Sequence, residues 1–201
     1  MPTAPNSTRT LIAGRRIRWD EARAACAYAD GLWVRETLAD ALRAAAQQTP
    51  ERVLIVDGEV RIDCRRLLSE AGALAQALLA RAPAGSVVSF MLPNWHEAGV
   101  IYLAATLAGM VANPILPSLR ERETQFILHD VGSRFIFIPS QFRNHDYAAM
   151  LSRVVTQLEA PPAVVVVRGD AGPHIDYESL LRTPGAAQAW PEQQADAVRM
   201  V

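Results

Sequence analysis

The stretch SVVSFMLPNWHEAGVIYLAATLAGMVANPILP, residues 86–117, decides the fold. Residues 86–92 are mostly apolar, as suits a strand buried in a sheet. Pro93 follows, and Asn94 is a good N-cap for the apolar helix beyond it. Gly109 ends that helix. Residues 110–112 start a second short strand, which Pro114 and Pro117 stop. Strand, helix and strand in this order make a crossover, the unit that sets two strands parallel and needs helices on the sheet faces.

The same alternation extends outward. Upstream, residues 20–29 predict a short Ala-rich helix, and residues 37–48 a stronger one with Leu38, Ala41, Leu42 and Ala45 at helical spacing. Residues 52–56 predict a strand, and Asp57-Gly58 before residues 59–62 is a hairpin signal. Asp63 caps a helix to about Arg81, whose buried stripe is Leu67, Leu68, Ala71, Leu74, Ala75, Leu78 and Leu79. Downstream, Ser118 with Glu121 reads as a capping box, opening a helix with Phe126, Ile127 and Leu128 on its apolar side. Residues 135–138 predict a strand, Pro139-Ser140 a turn, Asp146 the cap of a helix to about Leu158, and residues 163–167 a strand buried on both faces. Residues 176–181 read as a helical turn, residues 183–195 as a loop, and residues 197–201 as the start of another strand. The expected fold is α/β, a mostly parallel sheet flanked by helices on both faces. Its expected parts are a lead with a short helix (1–36, polar and mobile to about residue 16), a sheet subdomain (37–182), and a loop with an incipient strand (183–201).

Half of the 201 residues are hydrophobic and the net charge is -1. That is an ordinary globular balance, with no electrostatic reason to expect nucleic acid or an anionic membrane as partner. No apolar run reaches the length of a membrane span, and residues 1–10 lack a signal-peptide core, so a cytoplasmic location is expected. All 20 basic residues are Arg. The lack of Lys excludes, within these residues, a phosphate loop of the Gly-Lys-Ser/Thr type, and no GxGxxG follows a strand.

Candidate chemistry is sparse. His96, His129, His145 and His174 are scattered without metal-ligand spacing, so no metal site is expected. His96 stands in the first turn of the central helix beside Glu97, where it could line a cleft at the strand ends; a surface or interface residue is the simpler reading. Ser89, Ser118 and Ser140 lack a nucleophile elbow. Cys26 and Cys64 are too few for a disulfide scaffold. Cys64, beside Arg65 and Arg66 at a helix start, could have a lowered pKa, but a small semi-buried side chain is the favoured reading. The run 120–123 reads as a solvated helix face with local ion pairs, although Arg120 could meet an anion at the helix N-terminus.

The order of these features resembles a known family. The strand, Pro93-Asn94, Glu97, then Leu107-Ala108-Gly109-Met110-Val111-Ala112-Asn113-Pro114 and Pro117, then Arg120 with Glu123, is similar to the second core motif and flanks of the adenylate-forming acyl- and aryl-CoA synthetases. Asp57-Gly58 and residues 62–67 occupy the place of their first motif, with Cys64 and Arg66 where Tyr and Glu are usual. Trp19, Tyr28, Gly31, Trp33 and Thr37-Leu38 resemble the lead of cyclohexanecarboxylate-CoA and dihydroxybenzoate-activating ligases. The resemblance covers roughly residues 17–201. It implies a parent that forms an acyl-adenylate from ATP and a carboxylic acid, then an acyl-CoA, with ATP, Mg and CoA as cofactors. The residues such enzymes use for this chemistry lie downstream, so the resemblance assigns no catalytic, cofactor-binding or metal residue here. It implies an N-terminal part that is inactive alone, whose partners are the later parts of its own chain and a small carboxylic acid in the parent. Exposed apolar surface would then favour a homodimer. The alternative is a standalone doubly wound binding module without catalysis.

Overall fold

The computed structural model describes residues 7–10, 16–182 and 189–201. Five parallel strands form the main sheet: β5 (Val87–Phe90), β6 (Val111–Pro114), β7 (Ser133–Pro139), β10 (Ala163–Val167) and the two-residue β11 (Ile175–Asp176). Their spatial order is β11-β10-β7-β5-β6. Met200 adds an isolated parallel bridge to Ala112 on the outer side of β6; residues 197–201 form no strand beyond it.

Two apolar layers bury this sheet. Val88 and Phe90 of β5, Phe135 and Phe137 of β7 and Val165 and Val167 of β10 face one layer. That layer is closed by α2 (Leu38–Gln48), α3 (Cys64–Leu79), α4 (His96–Leu107) and α7 (Tyr177–Arg182). The alternate residues, among them Ile136, Ile138, Val164 and Val166, face α5 (Glu121–Asp130) and α6 (Tyr147–Val155). Side chains alternate across a strand, so a strand with helices on both sides is apolar throughout, as 163–167 is. Helix α3 carries most of the stripe expected of it: Leu67, Ala71, Leu74, Ala75 and Leu78 meet Val100, Ile101, Ala104 and Ala105 of α4 in one cluster, while Leu68 and Leu79 are only partly buried.

Several boundaries differ from the sequence expectation. Residues 7–10 and 16–19 form an antiparallel pair, β1 (Ser7–Thr10) and β2 (Arg16–Trp19), where a polar lead was expected. It precedes α1 (Glu21–Ala29). Asn94 does not cap α4; Trp95 is the N-cap and makes no side-chain cap bond. Helix α5 starts at Glu121, with Glu123 accepting from the Arg120 N–H, so the box is shifted by two residues from Ser118–Glu121. Phe126, placed on the apolar side, is 67% exposed, because Thr124 and Leu128 turn inward instead. A small ribbon, β8 (Gln141–Phe142) with β9 (His145–Asp146), replaces the simple turn at 139–140. Part of the loop expected at 183–195, residues 183–188, lies outside the described residues. No helix among the described residues is long and apolar enough to cross a membrane.

One hairpin stands apart from the main sheet. β3 (Val53–Asp57) pairs antiparallel with β4 (Val60–Asp63) around Gly58, as Asp57-Gly58 signalled. Its inner face, Ile55 and Ile62, packs on the α3–α4 layer, while Val53, Leu54 and Val56 remain exposed.

Candidate functional site

The strand order places a topological switch between β5 and β7. After β5 the chain crosses over the first layer through α4 to β6; after β7 it crosses the opposite layer through α6 to β10. Connections that leave neighbouring strands toward opposite faces open a crevice at the strand C-terminal ends, where open α/β sheets bind ligands. The described residues that converge there are Trp95, His96 and Glu97 after β5, Phe142 after β7, Arg168 after β10, and Asp57 from the hairpin tip.

Arg168 joins these segments. Its backbone is left-handed, φ 59°, and Gly169 follows at φ 102°. A Cβ on Gly169 would stand 2.7 Å from Cβ of Ser140, so only Gly fits this turn. The turn sends the guanidinium back over the sheet edge. Nε donates to Glu97 Oε1 at 2.5 Å and Nη2 to Glu97 Oε2 at 2.7 Å, a two-pronged pairing. Nη2 also donates to Asp57 Oδ2 at 2.7 Å. The guanidinium carbon lies 4.2 Å from the Trp95 ring centre, and Trp95 meets Phe142 edge-on at 5.9 Å. Glu97 is buried, and its carboxylate is tolerated because the Arg168 fork neutralises it.

Asp57 has a second task. Its Oδ2 accepts the backbone N–H of His96 at 3.1 Å and lies 2.9 Å from His96 Nδ1. That N–H belongs to the first residue of α4, one of the donors a helix leaves unpaired at its start. Asp57 therefore caps α4 from 39 residues away, which is why the helix needs no cap from Asn94. The hydrogen bonds from the His96 side chain, then from Arg168 and the His96 backbone, hold the Asp57 carboxyl far below the usual carboxylate range. Burial pulls the Arg168 guanidinium down, but its bonds to Glu97 and Asp57 outweigh that and leave it raised.

Asp57, His96 and Glu97 bring three potential ligand atoms together. They do not fit a resident cation, because Arg168 already sits among them with a full positive charge. The cluster holds no thiol or serine nucleophile, so what it does chemically is fix three chain segments by charge. Sequence reasoning singled out His96 and Glu97 but valued Asp57 only as a turn residue and passed over Trp95 and Arg168. The other candidates are dispersed. Arg120 donates to the carbonyls of Pro117, Ser118 and Leu119, which holds its guanidinium on the turn before α5. Cys64 is buried, with Sγ donating to Arg52 O. Ser89 is bonded to Ser133 and Asn113 inside the sheet. Burial pushes the His145 imidazole down, and His174 bonds to Ser152. Trp19, Tyr28 and Trp33 form an aromatic cluster, with ring centres 6.0 and 5.5 Å from Trp33.

Comparison with known proteins places the fold. The chain is 33% identical over 129 residues to the medium-chain fatty-acid–CoA ligase of Escherichia coli (strain K12), covering 63% of the chain and 23% of that protein. It is 29% identical over 176 residues to the 2-hydroxy-7-methoxy-5-methyl-1-naphthoate–CoA ligase of Streptomyces carzinostaticus, covering 86% of the chain and 31% of that protein. The chain thus spans less than a third of the length of either relative. The apo structure of Mycobacterium smegmatis MbtA superposes with a TM-score of 0.76 at 23% identity, over 89% of this chain and 32% of that one, a likeness of fold. Residues 42–200 match the model of the AMP-binding enzyme family. The parallel sheet and its crossovers are that family's N-terminal architecture, and the chain belongs to the AMP-binding enzymes.

Proposed function

We propose that the chain is the N-terminal part of an ATP-dependent carboxylic acid–CoA ligase of the cytoplasm, and that it is inactive alone. The match of residues 42–200 to the AMP-binding family, beside relatives named as CoA ligases, carries this reading. The absence of Lys from the sequence and the charge-filled crevice support the inactivity. In this reading the parent uses ATP, Mg and CoA, and its acid is medium-chain aliphatic or aromatic. No step of the two-step reaction is assigned to residues of this chain; they contribute the scaffold against which the nucleotide-handling parts pack.

The test is ATP–pyrophosphate exchange with medium-chain and aromatic acids. The 201-residue chain should give no exchange, whereas a fusion to the remaining two-thirds of a related ligase should exchange and form acyl-CoA. Turnover by the chain alone would refute inactivity, and a well-folded fusion that binds no ATP would refute the ligase reading. A companion expectation is self-association. Leu32, Val34, Leu38, Val53, Leu54 and Val56 are exposed, and apolar surface of this kind favours pairing of copies. Sedimentation over a range of concentrations should show a dimer.

A further inference from the structure

We propose that Arg168 is an electrostatic clasp that holds the β3–β4 hairpin against the C-terminal edge of the main sheet, and that the hairpin is a separately releasable flap.

Three observations on different segments converge on this. First, the hairpin is a sheet of its own, with no ladder to the five-stranded sheet. Two-stranded ribbons are marginal in water without outside support. Its support at the base is covalent and apolar. Ile62 is buried, Asp63 caps α3, and the Cys64 N–H returns to Arg52 O. At the tip Val60 still rests half-buried on the apolar layer, but the bonds there are polar. The Gly58 turn is exposed, and Asp57 is tied through its carboxylate to Arg168 and His96.

Second, Asp57 couples the tip to α4, because the same oxygen that meets Arg168 accepts the first N–H of the helix. Releasing the tip therefore uncaps α4 and leaves Arg168 with one carboxylate fewer, paired to Glu97. The flap and the helix start are linked through one atom.

Third, the loop that carries Arg168 is shaped for this reach. Two consecutive residues hold positive φ, and the Gly169–Ser140 approach leaves no space for a side chain. A loop so constrained presents its guanidinium already oriented, losing little freedom on pairing. The clasp is nonetheless accessible, with Arg168 40% and Asp57 21% exposed at the side chain, so dissolved ions can compete for it. This inference does not rest on the ligase reading.

Hydrogen exchange on the 201-residue chain tests it. Arg168→Gln should speed exchange of the β3–β4 amides by at least about tenfold, while amides of β7 and the middle of α4 change far less, because a local opening exposes only its own unit. Arg168→Lys should recover part of the protection, since a single ammonium replaces one contact of the fork. Should Arg168→Gln fail to fold, the wild-type chain still decides. Raising salt to about 1 M should accelerate the hairpin selectively, and Asp57→Asn should abolish that salt response. Hairpin amides that stay protected in Arg168→Gln, or that change in step with β7, would overturn the clasp. So would a hairpin indifferent to salt.

Discussion

The crossover through β5, α4 and β6 and the ion network at its C-terminal edge share the residues His96 and Glu97, yet they are built on opposite principles. The crossover is held by many interchangeable apolar contacts: Val100, Ile101, Ala104 and Ala105 against α3, Val88 against the same layer. The network is held by a handful of directed bonds among Asp57, His96, Glu97 and Arg168. Loss of one apolar contact leaves a cavity that neighbours partly fill; loss of one ion leaves its partner charged and buried. The first kind of construction degrades gradually, the second abruptly.

That contrast can be broken by mutation. Ile101→Ala, in the packed centre, should lower the unfolding free energy by about 2–5 kcal/mol in urea melts. Arg168→Met should cost about 3 kcal/mol, the low end for breaking a buried pair because the guanidinium is partly exposed. The double variant Arg168→Met with Glu97→Gln should recover part of that loss, since the stranded charge is gone, whereas no second apolar deletion would rescue Ile101→Ala. Gly109→Ala should cost about 1–2 kcal/mol, because its φ is 63° and the new Cβ would press on Pro191 at 3.0 Å. The smallest effect concerns acid. Asp57 is lowered in the folded state, so its share of stability is present above the ordinary carboxylate pKa and lost as pH falls below about 4. Asp57→Asn should therefore be less stable at neutral pH but lose less on acidification. Identical slopes for the two proteins below pH 4 would detach Asp57 from the network.

How much of this was legible follows the same division. The crossover was readable because its signals are local: β-branched runs, helical spacing, Gly109 at a helix end. Asp63 and Asp146 cap their helices as expected, and Asp20 and Thr37, read as the first residues of theirs, are caps as well. The cap of α4 was misread because the donor is satisfied across 39 residues by Asp57, and no local pattern announces that. Arg168 and Glu97 are 71 apart. One sequence carries no link between such positions. The only hints were a carboxylate at the start of an apolar helix and an Arg-Gly pair ending a run of four valines. Phe126 shows the reverse error: an apolar residue at helical spacing that points to solvent because Leu128 and Thr124 occupy the inward direction.

The outer strands of the main sheet bear on how copies of this molecule behave in concentrated solution. One margin ends in a strand only two residues long, β11; the other, β6, closes on Pro114, which has no N–H to offer, and is partly covered by Met200. Neither margin offers the long row of free amides that templates fibre growth. Aggregation of this chain should accordingly proceed through side-chain surfaces and yield amorphous, detergent-reversible material that does not bind amyloid dyes.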